Sequence, residues 1–155
     1  MNYMQLFKVT PGARVKLKDI DPAFKDDYEN REDADKETAK LQKKLRELQE
    51  LIFAERQHSL LICLQAMDTG GKDGTINHVL GAMNPKACRV AGFRQPSAEE
   101  LAHDFLWRAH RAVPALGEVV IFNRSHYEDV LIVRVHKMVP VDDWTKRYDH
   151  INMFE

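Results

Sequence analysis

An α/β fold built on a parallel sheet is what this sequence predicts, and two observations carry that expectation. Three short apolar runs, Ser59–Gln65 (SLLICLQ), Cys88–Gly92 (CRVAG) and Glu118–Phe122 (EVVIF), alternate with helical patterns. The first run gives way to Gln65–Gly74 (QAMDTGGKDG), a glycine-rich stretch that opens a helix. Alternating strands and helices make a parallel sheet covered by helices. Short continuous apolar runs suit strands buried on both faces.

Residues 1–30 carry Pro11-Gly12 and Asp21-Pro22. These are turn signals, so the segment reads as an extended N-terminal arm on the domain surface. Residues 31–58 read as a leading helix, centred on Glu32–Gln57. Leu41, Leu45, Leu48 and Ile52 recur there as one apolar stripe. Lys40, Lys43, Lys44, Arg46, Glu47 and Glu50 form the solvated opposite face. Residues 59–155 read as an incomplete α/β core. After the first strand comes a helix over Gly71–Met83. After the second, Ser97 with Glu100 forms a capping box opening a helix that runs to about Ala112. After the third, Ser125–His136 reads as helical, and Asp142–Glu155 opens a last helix with Trp144, Tyr148 and Ile151 on one face. The sequence stops within that pattern with no capping Gly or Pro, so a chain cut off in mid-domain is expected.

At 155 residues the expected organisation is one domain, 1–155. With 44% hydrophobic and 30% charged residues the composition is that of a globular protein. A net charge of −1 offers no general basic field for nucleic acid or an anionic membrane. No apolar run approaches the roughly 20 residues of a membrane helix, and no signal peptide is visible. Cys63 and Cys88 stand alone, without a Cys-x-x-Cys pattern, which matches a cytoplasmic protein.

The chemistry is expected in Gln65–Gly74. A phosphate loop normally reads Gly-x4-Gly-Lys-Ser/Thr after a strand. Gly71-Lys72 match, but Ala66 replaces the first glycine and Asp73 the hydroxyl residue. The backbone N–H groups of Thr69, Gly70, Gly71 and the helix start still face an anion, helped by the helix dipole. Gly70, Gly71 and Gly74 permit close approach, and Lys72 adds a point charge. A ligand-free glycine-rich turn is the bland alternative. Carboxylates in an anion site become useful when a divalent cation intervenes, so Mg²⁺ is expected on Asp68. Asp73 either binds there or favours the helix N-terminus.

The third strand ends at Asn123-Arg124, where a second metal-binding acid would normally stand. Asn123 offers a neutral oxygen to the metal, and Glu128 and Asp129 follow about one turn later. From Arg89 to Arg134 the basic residues are six arginines and no lysine. Arginine forks match phosphate oxygens two at a time. Arg124, at a strand's carboxyl end, and Arg94, in a loop before a helix, are the phosphate candidates; the others read as surface or salt-bridge residues. The seven histidines show no zinc spacing, and His126 is a further phosphate contact.

The runs LLICLQAMDTGGKDGTINHV, FRQPSAEELAHDFLWRAH and VVIFNRSHYEDVLIVRVH, together with VKLKDIDPAF, resemble the type-2 polyphosphate kinases over nearly the whole chain. That resemblance implies a P-loop kinase fold related to thymidylate kinases. It implies Mg²⁺-dependent phosphoryl transfer between inorganic polyphosphate and a nucleoside mono- or diphosphate: AMP, ADP, GMP or GDP, with ATP or GTP in reverse. By position the family's loop acid falls on Asp68 and its lysine on Lys72. Its second pair falls on Asn123-Arg124, where many members have Asp-Arg, and its mid-chain basic residue falls on Arg94, often Lys in relatives. Members carry a further C-terminal stretch with more strands and an arginine-bearing lid. Asp68, Lys72 and Arg124 are thus the expected catalytic residues, in a homo-oligomer without nucleic-acid or membrane partners. An ATP-dependent nucleoside monophosphate kinase and a non-catalytic phosphate- or nucleotide-binding module are the competing expectations.

Overall fold

In the computed structural model, which describes residues 3–25, 28 and 30–155, two compact units stand out, Met1–Ala39 and Lys40–Glu155. The first contains α1 (Tyr3–Phe7) and a 3-10 turn, Leu17–Asp19. Its segment is therefore not uniformly extended. Tyr3 stacks on Phe7 at 6.4 Å, and Phe7 meets the edge of Phe24 at 5.8 Å. Such ring pairs fold a short chain back on itself. Met1, Asn2, Asp26, Asp27 and Glu29 lie outside the described residues.

The leading helix, α2, spans Arg31–Glu55. Asn30 caps its start by accepting from the Asp33 N–H at 3.0 Å, and Arg56, at φ 53°, ends it in the left-handed region. Its inward face differs from the leucine stripe. Leu41 and Leu48 are exposed, while Gln42, Leu45, Gln49 and Ile52 turn inward. The cause is hydrogen bonding. Gln42 donates to the His78 carbonyl, and Gln49 accepts from the Asn84 N–H at 3.0 Å. Both glutamines answer backbone groups that a leucine would leave unpaired.

The strands are β1 (Leu60–Leu64), β2 (Cys88–Gly92) and β3 (Val119–Asn123), all parallel, in the order β1-β3-β2. The predicted strands and their direction hold. β3 sits between the other two, and Val119–Phe122 are at most 1% exposed. Alternate residues supply two cores. Val120 and Phe122 pack with Phe93, Leu106, Ala109, Val130 and Ile151, and Val119 and Ile121 pack with Leu80 and Met83. Leu60 on β1 and Val90 on β2 keep about half their surface or slightly less in contact with water.

The helices are shorter than the sequence pattern. Gly71–Met83 divides into α3 (Lys72–His78) and a 3-10 turn, Leu80–Ala82. Gln42 donates to the His78 carbonyl at the end of α3. Ser97–Ala112 divides into α4 (Ala98–Leu101) and α5 (Trp107–Ala112). The capping box is present, with Ser97 accepting from the Glu100 N–H and the Glu100 carboxylate accepting from the Ser97 N–H. Between α4 and α5, Asp104 accepts from the Leu106 N–H at 2.9 Å, a local turn that leads into α5. The last two helices are α6 (Glu128–Val135) and α7 (Val141–Phe154).

Candidate active site

Strand register fixes where the functional loops begin. Leu64 pairs with Asn123, and Asn123 with Gly92, so all three strands end at one level. The next residues are stitched across the ends. Arg124 N–H donates to the Leu64 carbonyl at 3.1 Å, and Phe93 N–H to the Asn123 carbonyl at 3.0 Å. Ligands of open parallel sheets bind at such carboxyl ends.

The loop after β1 is shaped by its glycines. Gly70 N–H closes a turn onto the Met67 carbonyl at 3.0 Å. A Cβ on Gly70 would lie 2.8 Å from the Ala66 Cβ and 2.9 Å from that carbonyl, so no other residue fits. Gly71, at φ 82°, turns the chain left-handed immediately before Lys72 starts α3. Thr69 is left-handed too, at φ 66°. Gly74 lies in the first turn of α3, where an added Cβ would meet nothing within 4 Å.

These turns bring together charges far apart in sequence. The Lys72 side chain is 10% exposed and its Nζ lies 3.8 Å from Asp68 Oδ1. The Arg124 guanidinium donates to the same oxygen at 2.6 Å, while Asp68 itself is 83% exposed. Arg124 holds a left-handed backbone, φ 60°, a strain that clusters at functional sites. Asn123 Nδ2 donates to Asp73 Oδ1 at 2.7 Å. A carboxylate only accepts, so the amide nitrogen must face Asp73. Asp68, Lys72, Asp73, Arg94, Asn123 and Arg124 thus converge on one cavity of about 620 Å³.

A second cavity, about 510 Å³, adjoins it. Phe93, Arg94, Gln95 and Arg124 line both. Leu101, Ile132, Val133 and Met138 supply its apolar wall, and Glu128 and Asp129 its acidic part. Burial pushes the Asp129 carboxyl above its ordinary value, against the pull of Arg108 and Arg147 beside it.

Two expected residues are elsewhere. His126 is fully buried and lines neither cavity. Its ring packs against Tyr127 and Phe154, and its Nε2 lies 3.1 Å from Glu155 Oε1. Glu128 does not join Asp68; its carboxylate accepts from Gln65 Nε2 at 2.7 Å and lines the second cavity. Phe93 and Gln95, which line both cavities, were not named as candidates from the sequence, and Gln65, the first residue of the glycine-rich loop, reaches the second cavity only through Glu128.

Among the described residues no three His, Cys, Asp or Glu side chains converge on a metal position. Mg²⁺ seldom needs such a cage, since it takes one or two carboxylates and completes its shell with phosphate oxygens and water. Asp68 and Asp73 lining one cavity fit that donor set. Asn123 has its amide nitrogen committed to Asp73 and offers only its oxygen.

Known proteins resemble this chain closely. The family model described as Polyphosphate kinase 2 (PPK2) matches residues 28–155. An AMP/ADP-polyphosphate phosphotransferase of Meiothermus ruber is 52% identical over 153 residues, covering 98% of this chain and 57% of that protein. An ADP-polyphosphate phosphotransferase of Rhodopseudomonas palustris is 42% identical over 161 residues, covering 96% of this chain and 56% of the relative. The crystal structure of polyphosphate kinase 2 from Arthrobacter aurescens TC1 superposes with a TM-score of 0.87 at 42% identity, over 97% of this chain and 54% of that one. The chain thus spans little more than half the length of these relatives. Its architecture is the P-loop-kinase-like α/β fold of that group. Among the described residues no helix is long and apolar enough to cross a membrane.

Proposed function

This chain belongs to the polyphosphate kinase 2 family, and on that premise we propose that it transfers a phosphoryl group between inorganic polyphosphate and a nucleoside mono- or diphosphate. One observation carries the reading: two adjoining cavities share a wall made by Arg94 and Arg124. The cavity with Lys72 and Asp68 is strongly charged and suits the polyphosphate end. The cavity with Leu101, Ile132 and Val133 offers apolar surface for a nucleoside. The relatives' names mention AMP and ADP, which supports an adenine nucleotide.

The residues divide the work. Attack comes from a nucleotide phosphate oxygen, already ionised at pH 7, on the terminal phosphorus of the chain. The shortened polyphosphate leaves as an anion. No general base is needed, so the protein's task is positioning and charge neutralisation. Lys72 and the backbone around Gly71 hold the donor phosphates. Arg124, at the shared wall, faces the phosphoryl group in transit, and Arg94 beside it helps to bind the polyphosphate chain. Asp68 holds Arg124 in place and, with Asp73, would hold Mg²⁺. Bound there, the cation would neutralise phosphate charge. Leu41, Leu48 and Leu51 stay exposed along α2, which supports a homo-oligomer, and a cytoplasmic setting follows from the substrates.

The test supplies polyphosphate, Mg²⁺ and AMP or ADP without ATP. A more highly phosphorylated nucleotide is the expected product, lost on chelation. Turnover with ATP but not polyphosphate as donor replaces this reading by a nucleoside monophosphate kinase. Calorimetric binding without turnover at any metal concentration leaves only a binding module.

A further inference from the structure

We infer that Arg108 is a positioning residue that sets Arg94 at the wall between the two cavities; this rests on the function proposed above. Arg108 stands on α5, and its guanidinium reaches the second cavity beneath the loop that follows β2. Its Nη1 donates to the Arg94 backbone carbonyl at 2.9 Å. Its Nη2 donates to Asp129 Oδ2 at 3.2 Å. Its Cζ sits over the Phe93 ring, 5.3 Å from the centroid.

Each contact fixes a different degree of freedom. Phe93 is anchored in the core beside Phe122, at 4.5 Å between ring centroids, so it sets where the loop leaves the sheet. The carbonyl bond then sets the direction of the chain at Arg94. Asp129 holds the guanidinium from the start of α6, the helix that follows Arg124. Arg147 on α7 approaches the other Asp129 oxygen at 3.2 Å and its backbone carbonyl at 3.0 Å, so the carboxylate cannot swing away. Arg108 is only 9% exposed and Asp129 13%. Buried charge-assisted bonds of this kind are stronger than surface ones and hold geometry. One planar fork therefore joins the Arg94 loop to the element that carries Arg124. A lysine could meet the carboxylate or the carbonyl, but not both in one plane.

The experiment is a double-mutant cycle on the whole protein, measuring kcat and KM for polyphosphate at saturating nucleotide. Arg108→Lys should raise that KM about tenfold, keep kcat within about twofold, and leave the melting temperature within a few degrees. Arg94→Ala should raise the same KM. Combining the two should add nothing to Arg94→Ala alone. Asp129→Asn, which keeps an oxygen for Arg108, should show the same pattern more weakly and stands in if Arg108→Lys fails to fold. If the effects of residues 94 and 108 multiply, or if Arg108→Lys lowers kcat and spares KM, the positioning role is wrong while the proposed function stands. If Arg94→Ala leaves the KM unchanged, the role assigned to Arg94 falls and this inference with it.

Discussion

The loop after β1 and the loop after β3 meet over one cavity, yet they are built in opposite ways. The first is a glycine turn whose key acid, Asp68, stands 83% exposed. The second springs from the most buried strand, and the two residues after Arg124, Ser125 and His126, have no exposed surface. Sequence makes the glycine turn conspicuous, whereas the loop after β3 shows only Asn123-Arg124 before a stretch that reads as helix. The difference teaches that a site can combine one region free of packing duties with another that packing dictates. Substitutions in the two regions should therefore separate activity from stability.

The largest effect is expected in the glycine turn. Lys72→Ala and Asp68→Asn should each cut kcat/KM by about 10²–10³-fold, the scale of losing one preorganised charge partner. Neither should shift the melting temperature by more than a few degrees. Activity within a few-fold of wild type in either variant would remove these residues from the catalytic set.

At the junction of the two regions, Arg124→Gly should uncouple the properties. It removes the guanidinium that meets Asp68 at 2.6 Å and relaxes a left-handed backbone, φ 60°. Activity should fall about 10²-fold, while stability rises by about 1 kcal/mol. A loss of stability in denaturant titrations would show that the side chain packs more than it strains.

The buried region after β3 should give the converse, and the smallest change in activity. His126→Ala should cost about 2–4 kcal/mol by opening a cavity in the core, read as a lower urea midpoint. The folded fraction should keep its KM for polyphosphate within about twofold. A large rise in that KM would restore His126 to the phosphate site, where its place in the sequence puts it.

Much of this fold could be read from the sequence because apolar runs and cap chemistry are local. The three strands, the parallel sheet and the Ser97–Glu100 capping box all follow from neighbouring residues. The inward face of α2 did not, since Gln42 and Gln49 turn inward to reach His78 and Asn84, partners more than thirty residues away. Nor did the gap between α4 and α5, where Asp104 makes a side-chain turn bond that composition does not display. In the candidate site, loop chemistry and strand ends pointed to Asp68, Lys72, Arg94 and Arg124, which line one cavity. His126 and Glu128 lie outside that cavity, because position in sequence after Arg124 says nothing of which way a side chain turns after a left-handed residue. Arg108 reads as one more surface arginine until its three partners are seen together.

The central place of β3 has a consequence on a different timescale. Its amides bond to strands on both sides and lie between two cores. They should exchange with deuterium only when the whole domain opens, whereas amides of the exposed glycine turn exchange through local fluctuation. Arg124 therefore stands next to the slowest-opening part of the molecule. A chain that loses stability will relax around Asp68 and Gly70 long before it releases Arg124.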